Sequence, residues 1–338
     1  MNSLSNKLIQ LGQLTETIIN HPDDPLYIVI DQGNGILQVM PTELAIYIEQ
    51  TVQQCLFVVL NQFPIHGFHP YVSVFVNTVL DCDLPAAIER HRSLKKQNDL
   101  YQVGIDYELM LDLITRMKTS VNNILGMAGS VEFKKLIYNA HRSAKKNHDG
   151  MIRYIDSLFE HYSRLQVIRL DLHYHKGHAI QRYDDISTRY WQAKNDFKHL
   201  LNNAKMNSLF DAMVGYIWSL EYGSERGFHY HIFLFFDGSK VRDDVYLAWQ
   251  IGEYWKSLTK SSGTYWNCNE KKKGYSQLGI GMIHFSDAEK VHYLKKAAAY
   301  LIKVDHYVRI LTPDNGRTFG RGEILPPRTV INGRPRTA

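Results

Sequence analysis

The chain has 338 residues, of which 44% are hydrophobic and 22% are charged, and its formal net charge is +5. This length allows two domains of ordinary size, and no apolar run reaches the roughly 18–20 residues that would span a bilayer. The N-terminus lacks the pattern of a secretory signal peptide, and the three scattered cysteines indicate reduced thiols and not a disulfide framework. We therefore expect a cytoplasmic protein.

The positive charge is concentrated in the second part of the chain. Residues 1–150 carry 12 Lys and Arg against 15 Asp and Glu, whereas residues 151–338 carry 27 against 19. A basic excess is typical of a domain that meets a phosphate backbone. The alternative is a chance asymmetry on the surface of a globular protein.

The first part of the chain is predicted to be mostly helical. Its predicted elements are a helix within residues 1–25, strands at 26–30 and 36–40, a helix over 41–60, and a strand or helix start at 70–76. Residues 84–160 should be helical, with breaks near Gly126 and Gly150. We assign residues 1–155 to a mixed, mostly helical N-terminal region without a predicted role.

From about residue 165 the pattern changes to strands alternating with helices. The predicted elements are a strand at 165–175, a helix to about 203, a hairpin of 215–222 and 228–236, a helix at 243–258, a lysine-rich loop at 263–273, a strand at 278–284 and a helix from 286. This order favours an α+β fold, with a central and largely antiparallel β-sheet flanked by helices. We expect the domain to span residues 160–327, followed by a basic tail at 328–338.

Three residues of the predicted hairpin are candidate metal ligands. His229 and His231 point to one face of their strand because side chains alternate, and Glu221 lies on the strand before the turn. Two imidazoles and a carboxylate leave open positions on a divalent ion for water or phosphate oxygens. The chain has 16 histidines, however. A second His-x-His motif, with His173, lies on the strand that also carries Asp171, and either residue could reach the same pocket.

The last predicted helix carries tyrosines outside its apolar stripe. A Ser-x-x-Glu capping box at 286–289 should start this helix, and its apolar residues form one stripe. Tyr293 and Tyr300 fall on a different face, each followed three residues later by a lysine, Lys296 or Lys303. A lysine one turn from a tyrosine can stabilise phenolate character, which suits a nucleophile. The alternative is a surface face that only packs or is solvated.

These motifs resemble the Rep class of HUH endonucleases. Within that class the chain resembles the inovirus gene-two-type replication initiators, also described as the YagK/YfjJ C-terminal domain family. The resemblance covers about residues 165–327. It rests on the segment 169–173, on the metal and tyrosine motifs in that order, and on Arg317-Thr-Phe-Gly-Arg321.

The resemblance implies an endonuclease that starts rolling-circle replication. His229, His231 and Glu221 would hold Mg²⁺ or Mn²⁺ against the scissile phosphate. Tyr300 would attack and leave a 5′-phosphotyrosine and a free 3′-hydroxyl, with Lys303 stabilising the charge and Tyr293 as a second candidate tyrosine. The expected partners are single-stranded or extruded origin DNA, with a host helicase and polymerase.

Several other side chains are expected to contact the DNA strand. Trp266 and Tyr275 could stack bases, and the candidate phosphate contacts are Lys271, Lys272, Lys273, Lys296, Arg317 and Arg321. Two alternatives remain open. One is a catalytically idle DNA-binding or regulatory protein with the same fold, and the other is a metal hydrolase that uses water in place of tyrosine.

Overall fold

The structure is a computed structural model that describes residues 4–31, 33, 37–62, 66–97, 103–175, 183–223, 227–310 and 316–327, with the side chains of 4–5, 37, 62, 66, 94–97, 103–106, 183–186 and 302–310 left undescribed. The chain divides into two compact units. The first comprises Met1–Arg142 with Tyr307–Arg309, and the second comprises Ser143–His306 with Ile310–Ala338.

The first unit is mainly helical, as predicted. Its elements are α1 (Leu4–Asn20), β1 (Tyr27–Asp31), β2 (Leu37–Pro41), α2 (Glu43–Thr51), a π-helical stretch (Val52–Leu56), α3 (Phe57–Gln62), β3 (His66–Phe68), α4 (Pro70–Asp81), α5 (Leu84–Gln97), α6 (Val103–Gly129) and the start of α7 (Val131–His161). The strands β1 and β2 pair in an antiparallel hairpin. Among the described residues no single helix is long and apolar enough to cross a membrane, although the bent pair Pro70–Asp81 and Leu84–Ser93 passes by length and composition.

The predicted helix breaks differ from the observed ones. The helix α6 continues through Gly126, and the break comes at Ser130, whose hydroxyl accepts a hydrogen bond from the Phe133 amide at 3.1 Å. No break occurs at Gly150, which is buried inside α7. The uncertain segment at 70–76 is helical, because Pro70 occupies its first turn and the His69 ring caps it.

The second unit has the predicted α+β architecture. After the end of α7, its elements are β4 (Arg164–Tyr174), α8 (Tyr183–Asn203), β5 (Met213–Gly223), β6 (Gly227–Asp237), α9 (Asp244–Leu258), β7 (Gly263–Asn267), β8 (Gly281–His284), α10 (Ala288–Tyr307) and β10 (Phe319–Arg321). The strand β9 (Val308–Ile310), between α10 and β10, belongs mainly to the first unit, where it pairs with β3. The six strands of the second unit form one sheet.

The sheet of the second unit is antiparallel, with the order β10–β5–β6–β4–β7, and β8 also pairs with β4. The start of β4 pairs with β8 and its end pairs with β7, so both neighbours share one edge of this strand. The prediction of a loop over 263–273 is wrong for its first part. Gly263–Asn267 forms a strand because β4 offers it an unpaired edge, which the local composition does not reveal.

Helices cover both faces of this sheet. One face, which includes Phe233 and Phe235, packs against the second half of α7 and against α10. On the other face the ring of Tyr230 stacks on Phe197 of α8 at 4.1 Å, and Trp255 of α9 lies 5.7 Å from Tyr174. Because side chains alternate along a strand, the odd-numbered residues of β6 point toward α7 and α10, and the even-numbered residues point toward α8 and α9.

The helix α10 shows the predicted apolar stripe, since Leu294, Ala298 and Leu301 are all buried. Its start differs from the predicted capping box. The Asp287 carboxylate, not the Ser286 hydroxyl, accepts a hydrogen bond from the Lys290 amide at 3.0 Å. The Ser286 hydroxyl instead lies 2.7 Å from Nδ1 of His284, so the helix begins one residue later.

Gly279 sets how closely α10 approaches the preceding segment. A Cβ at this position would lie 2.5 Å from the backbone nitrogen of Leu294 and from the carbonyl carbon of Tyr293. We expect Gly279→Ala to lower the free energy of unfolding by about 1–3 kcal/mol, because the backbone of a helix cannot move aside cheaply. Urea unfolding followed by circular dichroism measures the change.

Gly126→Ala is the matched control for this substitution. Nothing lies within 4 Å of a Cβ added to Gly126, and alanine favours the helical interior by roughly 0.5–1 kcal/mol. The two glycine substitutions should therefore shift the unfolding midpoint in opposite directions. An unchanged midpoint for Gly279→Ala would show that the close approach has no energetic weight.

Candidate metal centre

Three potential ligands converge on the sheet of the second unit, near the β5–β6 turn. Glu221 on β5 lies directly opposite His229 on β6, and His231 follows on the same face. Oε2 of Glu221 is 3.8 Å from Nε2 of His229 and 3.5 Å from Nε2 of His231. Ligands bonded to one ion at about 2.1 Å can be at most about 4.2 Å apart. The two measured separations therefore suit a single shared ion.

The tautomer of His229 is set by the turn. Its Nδ1 lies 3.0 Å from the carbonyl oxygen of Gly227, and a carbonyl can only accept, so Nδ1 carries the hydrogen. In the neutral ring the lone pair is then on Nε2, which faces Glu221. Gly227 has a φ of +66°, a left-handed conformation that favours glycine. The turn therefore both joins the strands and orients the ring.

His231 is oriented by a carboxylate on the neighbouring strand. Its Nδ1 is 2.6 Å from Oδ1 of Asp171, because β4 pairs with β6 with Asp171 opposite His231. A carboxylate that accepts from Nδ1 leaves Nε2 to face the metal position, as is common around metal-bound histidines. His173 also lies close, but its ring stacks on His229 at 5.5 Å. Asp171 is thus the residue of β4 that completes the group.

The charges of these groups are coupled. Burial opposes the charged form of His231, but hydrogen bonds with Asp171 and Glu221 outweigh burial and raise the pKa of His231 to about 10. Burial alone would raise the pKa values of Glu221 and Asp171, yet the hydrogen bond with His231 lowers both. Burial and the charge of His231 lower the pKa of His229. A metal ion that binds Nε2 of His231 must therefore displace a proton.

A half-buried cation lies beside this group. Arg169 precedes Asp171 by two residues, so both side chains are on the same face of β4. Nε of Arg169 is 4.0 Å from Oδ1 of Asp171, and its guanidinium lies over the Phe233 ring at 5.6 Å. The positive charge adds to the lowering of the pKa of Asp171, so Asp171 stays ionised next to His231.

The donor set is chemically suited to a divalent transition metal. Two imidazoles and one carboxylate are typical ligands of zinc, manganese, iron and cobalt. The ligand atoms of Glu221, His229 and His231 all lie within 4.8 Å of one another, and both contacts of Glu221 are below 4 Å, so binding of all three to one ion needs no more than a small side-chain movement. These residues therefore form a possible metal-binding group, and the three ligands predicted from the hairpin are brought together.

The two candidate tyrosines of α10 have different surroundings. Tyr300 is 51% exposed. The hydroxyl of Tyr293 donates a hydrogen bond to Oε1 of Glu289 at 2.7 Å, and this carboxylate raises the pKa of Tyr293. The phenolate form of Tyr293 is thus disfavoured. Lys303 belongs to α10, but its side chain lies outside the described part of the structure.

The three lysines predicted to hold DNA after β7 are not equivalent. Lys272 reaches back to the buried carboxylate of Asp244, with Nζ 2.6 Å from Oδ1 and 2.7 Å from Oδ2. Lys271 forms an exposed ion pair with Glu270 at 3.5 Å, and Lys273 is exposed. Lys272 therefore serves to anchor this segment on α9, which the run of three lysines does not reveal.

The other predicted DNA contacts lie on α10 and near β10. Lys296 and Arg317 are exposed. Arg321 is partly buried, with its guanidinium 5.5 Å from the centre of the Tyr154 ring and Nη1 donating to the Gly322 carbonyl at 2.8 Å. The predicted tail at 328–338 lies outside the described residues.

The fold and the site together define an α+β domain with a candidate metal centre on one face of an antiparallel sheet. Residues 127–322, more than half of the chain, match the family model of the YagK/YfjJ C-terminal domain, and the chain belongs to this family. The match begins within α6 and includes all of α7. It therefore starts before residue 165, where the motifs that resemble the Rep class begin. No curated protein and no solved structure matches the chain.

Proposed function

We propose that the chain is a DNA-nicking and DNA-joining enzyme of the HUH class that initiates replication, similar to the inovirus gene-two-type initiators. Its substrate is a single strand of origin DNA. The proposal rests on the convergence of His229, His231 and Glu221, with Nδ1 of each ring occupied by an acceptor and Nε2 directed toward a common point.

The position of α10 supports the same function. The sheet face that carries the histidines continues, through Phe233 and Phe235, into the core formed with α10. The helix that bears Tyr300 is therefore packed on the same side of the sheet as the metal centre. An exposed phenol on that helix is available to a DNA strand bound there.

The donor set also discriminates between the two expected ions. Mg²⁺ prefers oxygen ligands in octahedral geometry, whereas imidazole suits manganese and other transition metals. We infer that Mn²⁺ binds more tightly than Mg²⁺ to Glu221, His229 and His231. A bound divalent ion would act as a Lewis acid that polarises the scissile phosphate.

The reaction exchanges one phosphoester for another. The Tyr300 oxygen forms a bond to phosphorus as the bond from phosphorus to the 3′-oxygen breaks. The phenol loses its proton to water, and the departing 3′-oxygen takes a proton from water. The products are a 5′-phosphotyrosine and a free 3′-hydroxyl, and the reverse attack by that hydroxyl rejoins the strand.

The test uses a pool of single-stranded oligonucleotides of random sequence with a 3′ label. Wild-type protein incubated with the pool and Mn²⁺ should yield labelled protein on a denaturing gel, because the 5′-phosphotyrosine stays attached to the 3′ fragment. His231→Ala or EDTA should remove the labelled band. His284→Ala is the matched control, since His284 lies on β8 and hydrogen-bonds Ser286, outside the metal centre.

Other outcomes would point to a different function. Shortened DNA without labelled protein indicates a metal hydrolase that activates water. Binding of the pool without cleavage, unchanged in His231→Ala, indicates an idle DNA-binding protein. Either result would overturn the proposed reaction.

A further inference from the structure

The helix α7 carries a strongly basic face outside the metal centre. Over residues 134–146 five cations lie within an arc of about 120° when successive residues are placed 100° apart, and they extend over about 18 Å of the helix. All five are exposed. We call the following residues the α7 basic face: Lys134, Lys135, Arg142, Lys145 and Lys146.

The opposite side of α7 faces inward. Phe133 and Met151 are buried, and Ile137, Ala140 and Ala144 are partly buried. The helix is therefore amphipathic, with its apolar side packed and its cations in solvent. Packing of the apolar side therefore leaves the basic residues in solvent.

The charge of this face is not neutralised within the described structure. No ion pair joins any of the five cations to a described acidic residue, and the acids of this stretch, Glu132 and Asp149, lie at its two ends. Two cations on other helices, by contrast, are paired: Lys295 with Asp156, and Arg116 with Asp112. An unpaired row of cations on one helix face keeps its positive field.

Two further features suit a nucleic acid ligand. Tyr138 lies on the same arc and is 63% exposed, which offers an aromatic ring between cations. At Gly150, one turn beyond Lys146, the Arg321 guanidinium lies 3.4 Å from the position that a Cβ would occupy. A sixth cation, from β10, therefore lies beside the end of the row.

We propose that the α7 basic face binds the phosphate backbone of a nucleic acid, independently of its sequence. A helix that lies on a lipid surface needs a broad exposed apolar side, and most of the apolar side of α7 is turned inward, with Val131 and Leu136 as the exposed aliphatic residues. The inference extends the proposed nicking function by adding a second contact with the nucleic acid. It does not depend on cleavage.

The test measures binding in EDTA on the His231→Ala background, so that metal and cleavage play no part. Fluorescence anisotropy with 30-nucleotide single strands and the matching duplex is recorded from 50 to 200 mM NaCl. The variant Lys135→Gln, Arg142→Gln, Lys146→Gln removes three charges but keeps good helix formers. The matched control removes three exposed lysines elsewhere: Lys118→Gln, Lys198→Gln and Lys205→Gln.

The basic-face variant should bind about 10- to 100-fold more weakly at 0.1 M salt. Its plot of log affinity against log salt should lose a slope of about 3 with the duplex and about 2 with the single strand, because three phosphate contacts are removed. The control variant should change far less. Equal losses in the two variants would show a diffuse charge effect and overturn the proposal.

A lipid arm provides a second check. Vesicles that contain phosphatidylserine should bind the basic-face variant and the control variant equally, because each has lost three positive charges. If vesicle binding is lost in the basic-face variant while DNA binding is unchanged, the face is a lipid site and the inference is wrong. Failure of the nicking assay alone would leave this inference standing.

Discussion

Tyr300→Phe is expected to reduce formation of the covalent protein–DNA adduct by at least about 10³-fold, because it removes the attacking oxygen and nothing replaces it. The phenyl ring keeps its volume, and the side chain is 51% exposed. Stability, Mn²⁺ binding and DNA binding should therefore stay close to those of the wild type. Labelled protein on a denaturing gel, normalised to binding measured by anisotropy, provides the measurement.

Tyr293→Phe is the matched control on the same helix. Its hydroxyl is hydrogen-bonded to Glu289, which disfavours loss of the proton. We expect this variant to form the adduct within about threefold of the wild-type level, since removing a hydroxyl from an exposed hydrogen bond has a small effect. If the adduct disappears in Tyr293→Phe and persists in Tyr300→Phe, the assignment of the nucleophile is wrong.

Local patterns were sufficient to predict the hairpin and the helix of the proposed active site. The apolar and aromatic run over residues 228–236 indicates a strand, and a short connection to the previous strand places Glu221 opposite His229. The apolar stripe of α10 likewise follows from spacing alone, and it separates Tyr300 from the buried Leu294 and Leu301. Both features depend on neighbours within about 20 residues.

Contacts that depend on distant strands could not be predicted with the same certainty. Asp171 and His231 are sixty residues apart, and they meet only because β4 and β6 pair in one register. A shift of one residue would turn Asp171 to the other face. The strand β7 likewise forms by pairing with the edge of β4. The position of the Lys272 side chain depends on its ion pair with Asp244, which is distant in sequence.

The basic face of α7 shows a different limit. The acidic balance of residues 1–150 conceals it, because a net count over a long segment says nothing about which side chains share a helix face. Gly150 is predicted to break the helix because glycine is a poor helix former. It lies inside α7 instead, next to the Arg321 side chain of β10.

Asp171→Asn should weaken Mn²⁺ binding by about 10- to 100-fold, although Asp171 is not a predicted ligand. The carboxylate accepts from Nδ1 of His231 at 2.6 Å and holds Nε2 toward Glu221 and His229. An asparagine oxygen can still accept this hydrogen bond, so the substitution removes mainly the negative charge. Asp171→Ala removes the acceptor as well and should have the larger effect.

Isothermal titration with Mn²⁺ separates these contributions. If charge is the main effect of Asp171, the Asn and Ala variants lose affinity equally. If orientation of the ring is the main effect, Asp171→Asn retains most of the Mn²⁺ affinity. The Nδ1–H signal of His231 then stays protected from exchange in Asp171→Asn but not in Asp171→Ala. His231→Ala should lose more affinity than either, because a ligand is removed. Wild-type affinity in both Asp171 variants would show that the contact with His231 is incidental, and the metal centre would then consist of three ligands without support from β4.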